Sequence, residues 1–397
     1  MPLLPLLVAC ADVTVPMNGA EESFAGSAID APTGTADWHV DGAGGSDFET
    51  IQEAIDAASP GQWILVAPGT YSERINYNGK SLWISSRDGS AATTIDATRR
   101  GTGVTVVGGE TSRTALVGFT IENAVDYGVQ VDFSSIHLED VRITGASGAY
   151  GIHGSSADLE LQDVTIDNND ANYAAIYMDR GSLQMTDSSV ECGNGYTIYS
   201  GHGYMQIDQS TITCNGRNSY AIAVEHTVGT VLRSTLTGQV YVSSEDDHNT
   251  DTIALVNSVL NGDYTAVYGT ILIRNSVIDG GKVTYWDFAE NPATPVIENS
   301  ILLNSTCAFA TDALTNTVRN NSFWNTTPSC GTATYIAADG NLDADPLLTD
   351  APGGDYHLDG GSPLEDAGVD EDTYDDIDGS RGDIGPFGGV FTMDGGW

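Results

Sequence analysis

The stretch "SSVECGNGYTIYSGHGYMQIDQSTITC", residues 188–214, contains two copies of one short pattern, and this repeat decides the fold. The copies are "SSVEC" and "STITC", whose central apolar residues, Val190 and Ile212, lie 22 positions apart. Alternation of apolar and polar residues over such a short run is typical of a β-strand that buries one face. A strand that returns at a fixed interval predicts a solenoid, in which each copy stacks on the previous one.

The same pattern continues on both sides of this stretch at intervals of 18 to 24 residues. Its central apolar residues are Ile121, Ile143, Ile166, Val190, Ile212, Leu236, Leu260, Ile278, Leu302 and Phe323. A second strand repeats in phase, as "YGVQV", "YGIHG", "YAAIYM", "YTIYS" and "YAIAV". With two or three strands in each turn, the sequence predicts an all-β fold, a single-stranded right-handed parallel β-helix of roughly a dozen coils that each add about 4.8 Å.

The open apolar coil at each end of such a rod has to be covered. In "DFETIQEAIDAASPGQWILVAPGTYSERI", residues 47–75, a short helix has one apolar face, and Ser46 with Glu49 fits a capping box. The apolar residues of that face are Phe48, Ile51, Ile55 and Ala58. We therefore predict an N-terminal cap at 38–62 that includes this helix.

The chain outside that cap divides by composition. Residues 1–10 end in "LLVAC", which resembles a bacterial lipobox and would make Cys10 the site of lipidation. The match to the lipobox can also be chance, because "MPLLPLLVA" has no basic residue and is shorter than an ordinary signal peptide. Residues 11–37, rich in small and acidic residues, are expected to form a flexible linker. The β-helix is predicted at 63–335, and an acidic C-terminal cap and tail at 336–397.

The net charge excludes some partners. The chain has 397 residues, with 14 Lys plus Arg against 55 Asp plus Glu, and a formal net charge of −41. Such a chain repels nucleic acid, so nucleic-acid binding is excluded. It also repels acidic polysaccharides unless a cation such as Ca²⁺ bridges the two. The sequence has no apolar run long enough to predict a transmembrane helix.

Two segments resemble a known family. The stretch at 47–75 resembles the opening segment of the pectin lyase-like superfamily, especially pectin methylesterases and related secreted β-helix proteins. The tail, with "DADPLLTDAPGGDYHLDGGSPLEDAG" and "RGDIGPFGG", is similar to the closing segment of bacterial β-helix surface proteins. The resemblance covers residues 38 to about 388 and implies the same fold and a place in the bacterial cell envelope, periplasmic or extracellular.

The resemblance does not assign an activity. "SGHGYM", residues 200–205, is similar to one element of the polygalacturonase pattern, but the other elements are missing in order. The Arg-containing context of pectin methylesterases is absent as well. Pectate and alginate lyases use a Lys or Arg to lower the pKa of the proton at C5 of the sugar. The two lysines, Lys80 and Lys282, lie away from the polar patch described below. Arg180 is the one candidate for that role.

The cysteines are spaced by about one coil. Cys192 and Cys214 end consecutive strand copies, and Cys307 and Cys330 are 23 residues apart. Equivalent residues on neighbouring coils are about 5 Å apart, within the range that a disulfide needs. We predict the bridges Cys192–Cys214 and Cys307–Cys330, which would fit an oxidising compartment. The alternative is that the first pair are two small buried thiols.

Equivalent residues on successive coils form columns. One column is Tyr127, Tyr150, Tyr173, Tyr196 and Tyr220. Counting outward from it gives three more columns: Gln130, His153, Tyr177, Tyr199, Ala223; Asp132, Ser155, Asp179, Gly201, Glu225; and Phe133, Ser156, Arg180, His202, His226. This is the one surface where tyrosines, histidines, an arginine and carboxylates converge. It is interpreted either as ordinary decoration of an exposed sheet or as a functional site.

As a functional site, the surface has two groups of residues. Substrate-binding candidates are Tyr177, Tyr199, His153, Tyr150, Tyr173, Tyr196 and Tyr220, and catalytic candidates are Asp179, Glu225, His202, His226 and Arg180. Asp179 and Glu225 are expected two coils apart, about 9.6 Å, with Gly201 between them. Inverting glycosidases hold two carboxylates about 6.5–9.5 Å apart, so this spacing permits acid and base roles.

A separate acidic loop is a candidate metal site. "SSEDDHNTD", residues 243–251, brings Glu245, Asp246 and Asp247 together in an insertion that interrupts the period. Oxygen-rich loops suit Ca²⁺, the one cofactor that the sequence indicates. The alternative is a solvated loop without metal.

Two hypotheses for the function follow from the sequence. The first is a surface module of the cell envelope, tethered through Cys10, that binds a polysaccharide, a cell-envelope glycan or another partner. The second is a polysaccharide hydrolase or lyase that uses the His, Tyr and carboxylate columns. A flat, open sheet at these columns would favour binding, and a walled groove would favour catalysis.

Overall fold

A computed structural model describes residues 31–148, 150–167, 173–192, 195–215, 219–244, 251–286, 296–309, 318–327, 339–370, 376 and 379–388. These residues form a parallel β-solenoid of about 10 turns with very little helix. The predicted parallel β-helix is therefore confirmed. None of the helices in this part of the chain is long and apolar enough to cross a membrane.

The first half of the rod contains one α-helix and the longest strands. In chain order the elements are β1 (Trp38–Val40), α1 (Ile51–Ala57), β2 (Trp63–Val66), β3 (Gly69–Tyr71), β4 (Ile75–Asn76), β5 (Trp83–Ser86), β6 (Thr93–Asp96), β7 (Val104–Val106), β8 (Ala115–Glu122), β9 (Tyr127–Asp132), β10 (Ser135–Thr144), β11 (Tyr150–Asp167), β12 (Ala174–Thr186), β13 (Ser189–Glu191), β14 (Tyr196–Asp208), β15 (Thr211–Thr213) and β16 (Tyr220–Leu232). The long strands bend around corners, so that one strand contributes to more than one face of the rod.

The second half has shorter strands. They are β17 (Thr235–Thr237), β18 (Gln239–Ser243), β19 (Thr252–Val256), β20 (Val259–Asn261), β21 (Tyr264–Val267), β22 (Thr270–Arg274), β23 (Val277–Asp279), β24 (Val283–Trp286), β25 (Val296–Glu298), β26 (Ile301–Leu303), β27 (Val318–Arg319), β28 (Ser322–Trp324), β29 (Leu348–Asp350) and β30 (Asp355–Leu358), with a 3₁₀ turn at Ala351–Gly353. Among the described pairings, only β29 with β30 is antiparallel.

The strands stack into three faces. The first face runs from β1 through β2, β5 and β8 to β27, and the second runs from β3 through β6 and β8 to β28. The third face contains β4, β7 and β9, followed by the first parts of β11, β12, β14 and β16, and then β18, β21 and β24. The ten central apolar residues of the sequence repeat pair with one another along the second face, from Ile121 to Phe323. They are buried and form the axis of the hydrophobic core.

A ladder of hydroxyl groups closes the corner between the first and second faces. At this corner a residue with positive φ, such as Asn257 (48°), precedes a buried serine. Ser210 N–H donates to Ser234 Oγ at 3.0 Å, and Ser234 N–H donates to Ser258 Oγ at 3.2 Å. Each serine hydroxyl thereby satisfies a backbone N–H of the neighbouring coil that would otherwise be buried without a partner.

The ladder extends over eight links. Its donors and acceptors are Val164, Ser188, Ser210, Ser234, Ser258, Ser276, Ser300, Asn321 and Asn341. In the last two links an asparagine side-chain oxygen replaces the hydroxyl. The recurring "NS" of the sequence thus has two roles, a left-handed corner followed by a hydrogen-bond acceptor.

The helix α1 lies at the N-terminal end, as predicted, but its cap differs. Its N-cap is Thr50, whose side chain accepts a hydrogen bond from the N–H of Glu53. The predicted capping box, Ser46 with Glu49, was wrong because this segment is extended, and Phe48 forms a bridge with Val40.

Two charged side chains fix the ends of the helix α1. Glu73 accepts hydrogen bonds from the N–H groups of Ile51 and Gln52 at 2.8 and 2.9 Å. Lys80 donates to the carbonyl oxygens of Ile55 and Asp56, both at 2.8 Å. An anion at the N-terminus and a cation at the C-terminus complement the helix dipole and satisfy terminal backbone groups.

The described part of the C-terminal segment packs along the side of the rod. Tyr356, Leu364 and Ile384 form an apolar cluster with outward residues of the second face, including Val277 and Ile301. Asparagines at the corners also bind the backbone of the tail. The side-chain amides of Asn257, Asn275 and Asn320 donate hydrogen bonds to its carbonyl oxygens, and Asn299 accepts one from a backbone N–H. The tail therefore covers several coils laterally as well as following the last one.

One predicted disulfide is confirmed. Cys192 and Cys214 are bonded, with a Cα–Cα distance of 5.1 Å, and link two neighbouring coils. Cys307 is also disulfide-bonded. Its predicted partner, Cys330, and the predicted lipidation site, Cys10, lie outside the described residues, so both assignments stay predictions.

Candidate functional site

The outward side of the third face, from β9 to β16, contains the predicted site residues, and we name it the tyrosine face. The strand register stacks Gln130, His153, Tyr177, Tyr199 and Ala223 in one column. It stacks Asp132, Ser155, Asp179, Gly201 and Glu225 in the next. These two columns agree with those counted from the sequence.

The aromatic rings of the tyrosine face stack on one another along the rod. The ring of Tyr177 lies between those of His153 and Tyr199, with centroid distances of 5.4 and 5.3 Å and interplanar angles of 11° and 6°. Tyr196 and Tyr220 stack at 5.2 Å, and Tyr127 and Tyr150 at 5.7 Å. Because neighbouring rings cover both sides of Tyr177, that side chain offers a ligand its ring edge and hydroxyl group.

Tyr173 differs from the other tyrosines in register and orientation. The residue that pairs with both Tyr150 and Tyr196 is Ala174, so Tyr173 precedes the column position that the sequence spacing predicted for it. Its ring is inclined by 80° to that of Tyr150 and by 64° to that of Tyr177. Tyr173 is 41% exposed, and its ring is steeply inclined to the stacked rings. It therefore offers a ligand an aromatic surface that the stack does not cover completely.

The carboxylate column provides hydrogen-bonding groups beside these rings. Tyr199 donates its hydroxyl hydrogen to Glu225 Oε2 at 2.9 Å. Arg180 donates to Asp179 Oδ2 at 3.0 Å, and His202 Nδ1 lies 3.7 Å from Asp179 Oδ1. Gly201 separates the two carboxylates along the column, and a Cβ atom at this position would lie 3.8 Å from Asp179 Oδ1.

The column at the corner beside the carboxylates has an unusual backbone. Its members Phe133, Ser156, Arg180, His202 and His226 all have positive φ, between 49° and 62°. The rings of His202 and His226 stack at a centroid distance of 4.7 Å. The backbone N–H of His226 donates to the buried carboxylate of Asp251 at 3.0 Å. The column at this left-handed corner is therefore a row of bulky or charged side chains, with Ser156 as the exception.

The surroundings of four tyrosines on this face disfavour loss of the phenolic proton. Burial, and next the hydrogen bond to Glu225, raise the pKa of Tyr199 well above its usual range. Burial and then neighbouring tyrosines raise the pKa of Tyr150 and of Tyr196, and burial with Asp179 raises that of Tyr177. These phenols therefore remain hydrogen-bond donors at neutral pH.

Sequence reasoning missed a second polar group at the N-terminal end of the tyrosine face. Asp132 accepts a hydrogen bond from Gln130 at 2.6 Å and lies 3.4 Å from His153 Nδ1. The next residue, Phe133, has a positive φ and is 74% exposed. The columns counted from the sequence contain all of these residues, but only His153 is among the predicted site residues. The exposure of Phe133 could not be predicted, because spacing does not indicate which side chains are exposed.

Two cavities lie away from the tyrosine face, one at Trp324 and one between Tyr356 and Phe387. The described residues contain no group of three or more His, Cys, Asp or Glu side chains arranged to hold a metal ion. The predicted Ca²⁺ ligands Glu245, Asp246 and Asp247 lie outside the described residues, so that site stays a prediction.

Comparison with known proteins finds similarity at the level of the fold. A pectate lyase, Pel9A, is 15% identical, with 85% of this chain and 90% of that chain covered and a TM-score of 0.47. A rhamnogalacturonan lyase is 13% identical, with 83% of this chain and 96% of that chain covered and a TM-score of 0.34. A pectin methylesterase from carrot is 14% identical, with 77% of this chain and 86% of that chain covered and a TM-score of 0.29. The likeness concerns the fold alone: the chain itself is a parallel β-solenoid, as its strand topology shows.

Comparison at the level of sequence adds no assignment. No protein-family model matches the chain, and no curated protein matches it. The resemblance to the pectin lyase-like superfamily thus agrees with the parallel β-solenoid of the structure. The roles of the individual site residues remain open to proposal.

Proposed function

We propose that the chain is a carbohydrate-binding module and that the tyrosine face is its binding surface. The observation that carries this proposal is the position of Tyr173, a partly exposed ring that is steeply inclined to a stack of other rings. A flat aromatic surface packs on the apolar side of a sugar ring. Around it, tyrosine hydroxyls, Asp179, Arg180 and Glu225 supply donors and acceptors for sugar hydroxyls.

The exposure of the groups on this face favours binding over catalysis: Tyr173, Arg180 and His202 are all accessible to solvent. A long row of rings and polar groups suits an extended polysaccharide that contacts several coils. Catalysis benefits from a site that excludes water. The net charge of −41 favours an uncharged glycan as the partner, or an acidic glycan with bridging Ca²⁺.

We propose a location in the bacterial cell envelope, periplasmic or extracellular. The disulfide between Cys192 and Cys214 supports an oxidising compartment. Lipid anchoring through Cys10 is part of the same proposal and rests on the "LLVAC" pattern. Retention of the protein in the membrane fraction, and its release by Cys10→Ser, would test the anchor.

The binding proposal is tested with Tyr173→Ala and a matched control. Tyr204 is 40% exposed, nearly the same as Tyr173, but it lies in the first-face part of β14. Affinity electrophoresis through gels containing cellulose derivatives, xylan, mannan or pectin would measure retardation of each variant. We expect Tyr173→Ala to abolish retardation by the polysaccharide that binds the unmodified chain, and Tyr204→Ala to leave it intact. Equal retardation of both variants would refute the proposal.

A second candidate function, polysaccharide hydrolysis or lysis, rests on the carboxylate column. Asp179 and Glu225 are two rungs apart, which corresponds to about 9.6 Å between their backbones and leaves room for a water molecule. Arg180 beside Asp179 and the hydroxyl of Tyr199 on Glu225 would hold the two carboxylates in place. The other catalytic candidates, His202 and His226, border the same column.

The enzyme hypothesis predicts product release. Reducing ends or unsaturated sugars should appear when the chain is incubated with the polysaccharide it binds, with and without Ca²⁺. Asp179→Asn and Glu225→Gln should each abolish release and preserve binding. If the unmodified chain binds but releases nothing, only the binding module remains.

A further inference from the structure

A separate cavity of about 510 Å³ lies near the C-terminal end of the described coils, away from the tyrosine face. It is lined by Ser305, Trp324, Asn325, Thr326, Thr327 and Asp343. Its volume is within the range of sites that hold small ligands. The lining combines one aromatic ring with five polar residues.

Trp324 presents part of its indole to this cavity. It is the last residue of β28 and is 37% exposed, although large apolar side chains are otherwise mostly buried in the described chain. On one side it pairs with Leu303 of the preceding coil. On the other side, β28 is joined to the following segment by the bridge between Ser322 and Leu342. Trp324 thus lies beside a large side chain, Leu303, and still keeps part of its surface accessible.

The polar part of the lining is held by the coil structure. Asn325 has a φ of 49° at the corner after β28, and its side-chain amide donates to Asn304 Oδ1 at 3.0 Å. The hydroxyl of Thr326 accepts a hydrogen bond from the N–H of Ser305 at 3.1 Å. Asp343 adds a carboxylate to the rim. Groups fixed in this way lose little conformational freedom when a ligand binds.

We propose that this cavity is a second saccharide-binding site, which holds one or two sugar units of an uncharged glycan. An indole face packs on the apolar side of a sugar ring, and amide, hydroxyl and carboxylate groups bond to its hydroxyls. Its lining contains no basic residue, which disfavours anionic sugars. Its single carboxylate is too few for a Ca²⁺ site. The site is independent of the tyrosine face, so either proposal can fail alone.

The test isolates the cavity by using Tyr173→Ala as the background. Titration of this variant with cellohexaose, xylohexaose, mannohexaose and maltohexaose would be followed by tryptophan fluorescence and by calorimetry. We expect a saturable change with at least one of these probes. Adding Trp324→Ala should weaken that binding by at least about tenfold, and Asp343→Asn by a smaller factor.

Trp324→Phe provides a control for folding, because it keeps a flat ring in β28. We expect it to retain part of the affinity, and we expect the circular dichroism spectra of all variants to match. The proposal is overturned if none of the four oligosaccharides gives saturable binding. It is also overturned if Trp324→Ala binds as tightly as its parent while remaining folded.

Discussion

Replacement of Ser234 by alanine tests whether the ladder of hydroxyl groups holds the coils together. Ser234 is fully buried at the corner between the first and second faces. Its hydroxyl accepts a hydrogen bond from the N–H of Ser210 at 3.0 Å and donates to the carbonyl oxygen of Leu232 at 2.6 Å. The substitution removes both hydrogen bonds and leaves the backbone in place.

The magnitude follows from what each group loses. The carbonyl oxygen of Leu232 keeps a second donor, the N–H of Gln209 at 3.2 Å. The N–H of Ser210 has no comparable substitute at this corner, and an unsatisfied buried donor costs about 1–3 kcal/mol. The lost bond to Leu232 contributes about 0.5–1.5 kcal/mol more. We therefore expect Ser234→Ala to lower the free energy of unfolding by about 2–4 kcal/mol.

Chemical denaturation followed by circular dichroism measures this change, with Ser189→Ala as the matched control. Ser189 is exposed on β13, and its replacement should change stability by less than about 0.5 kcal/mol. Because repeat proteins can unfold in parts, hydrogen exchange at the amide of Ser210 gives a local measure of the same effect. If Ser234→Ala unfolds like Ser189→Ala and the amide of Ser210 stays protected, the ladder does not stabilise the rod.

Two further predictions concern the disulfide and a buried histidine. Replacing Cys192 and Cys214 by serine opens a loop of 22 residues, so the free energy of unfolding should fall by about 3 kcal/mol relative to the oxidised unmodified chain. Under reducing conditions, where both chains lack this bridge, the difference should disappear. Burial lowers the pKa of His137, but Glu160 and Glu139 together raise it above its usual value. Because the pKa is higher in the folded state, the protonated histidine stabilises the fold below about pH 6.5, and this contribution disappears as the pH rises through the folded-state pKa. His137→Gln should therefore lower the free energy of unfolding more at about pH 5 than at about pH 9. An equal loss at both pH values would contradict this prediction.

The repeating part of the fold could be predicted from the sequence because stacking imposes one spacing on one buried position. All ten predicted core residues pair as expected, and even the short interval from Leu260 to Ile278 corresponds to a real coil. Tyr173 shows the limit of this reasoning. The coil from Tyr150 to Ala174 is one residue longer than the 23-residue spacing of the tyrosines, so a column of equal spacings conceals a shift in register.

Features outside the repeat could not be located from spacing. The sequence indicated a terminal cap, but the position of the tail along the flank depends on outward apolar residues such as Val277 and Ile301. The hydrogen bonds from Asn257 and Asn275 to the tail depend on corners whose side chains point away from the core. The cavity at Trp324 likewise depends on a segment that does not repeat, which contributes Asp343 to the lining, and the sequence carried no pattern for it.

The position of the tail has a consequence for the order in which the chain folds. The coils that contain Val259 and Val277 precede by about a hundred residues the segment that covers them, which includes Tyr356 and Ile384. During synthesis or export from the N-terminus, the apolar flank of these coils stays exposed until the later segment has emerged. The early coils, from β8 to β16, have no such requirement among the described contacts. Chaperones or secretion factors that shield apolar surface should therefore act on the last third of this protein, and truncation before Tyr356 should convert that flank into a site of self-association.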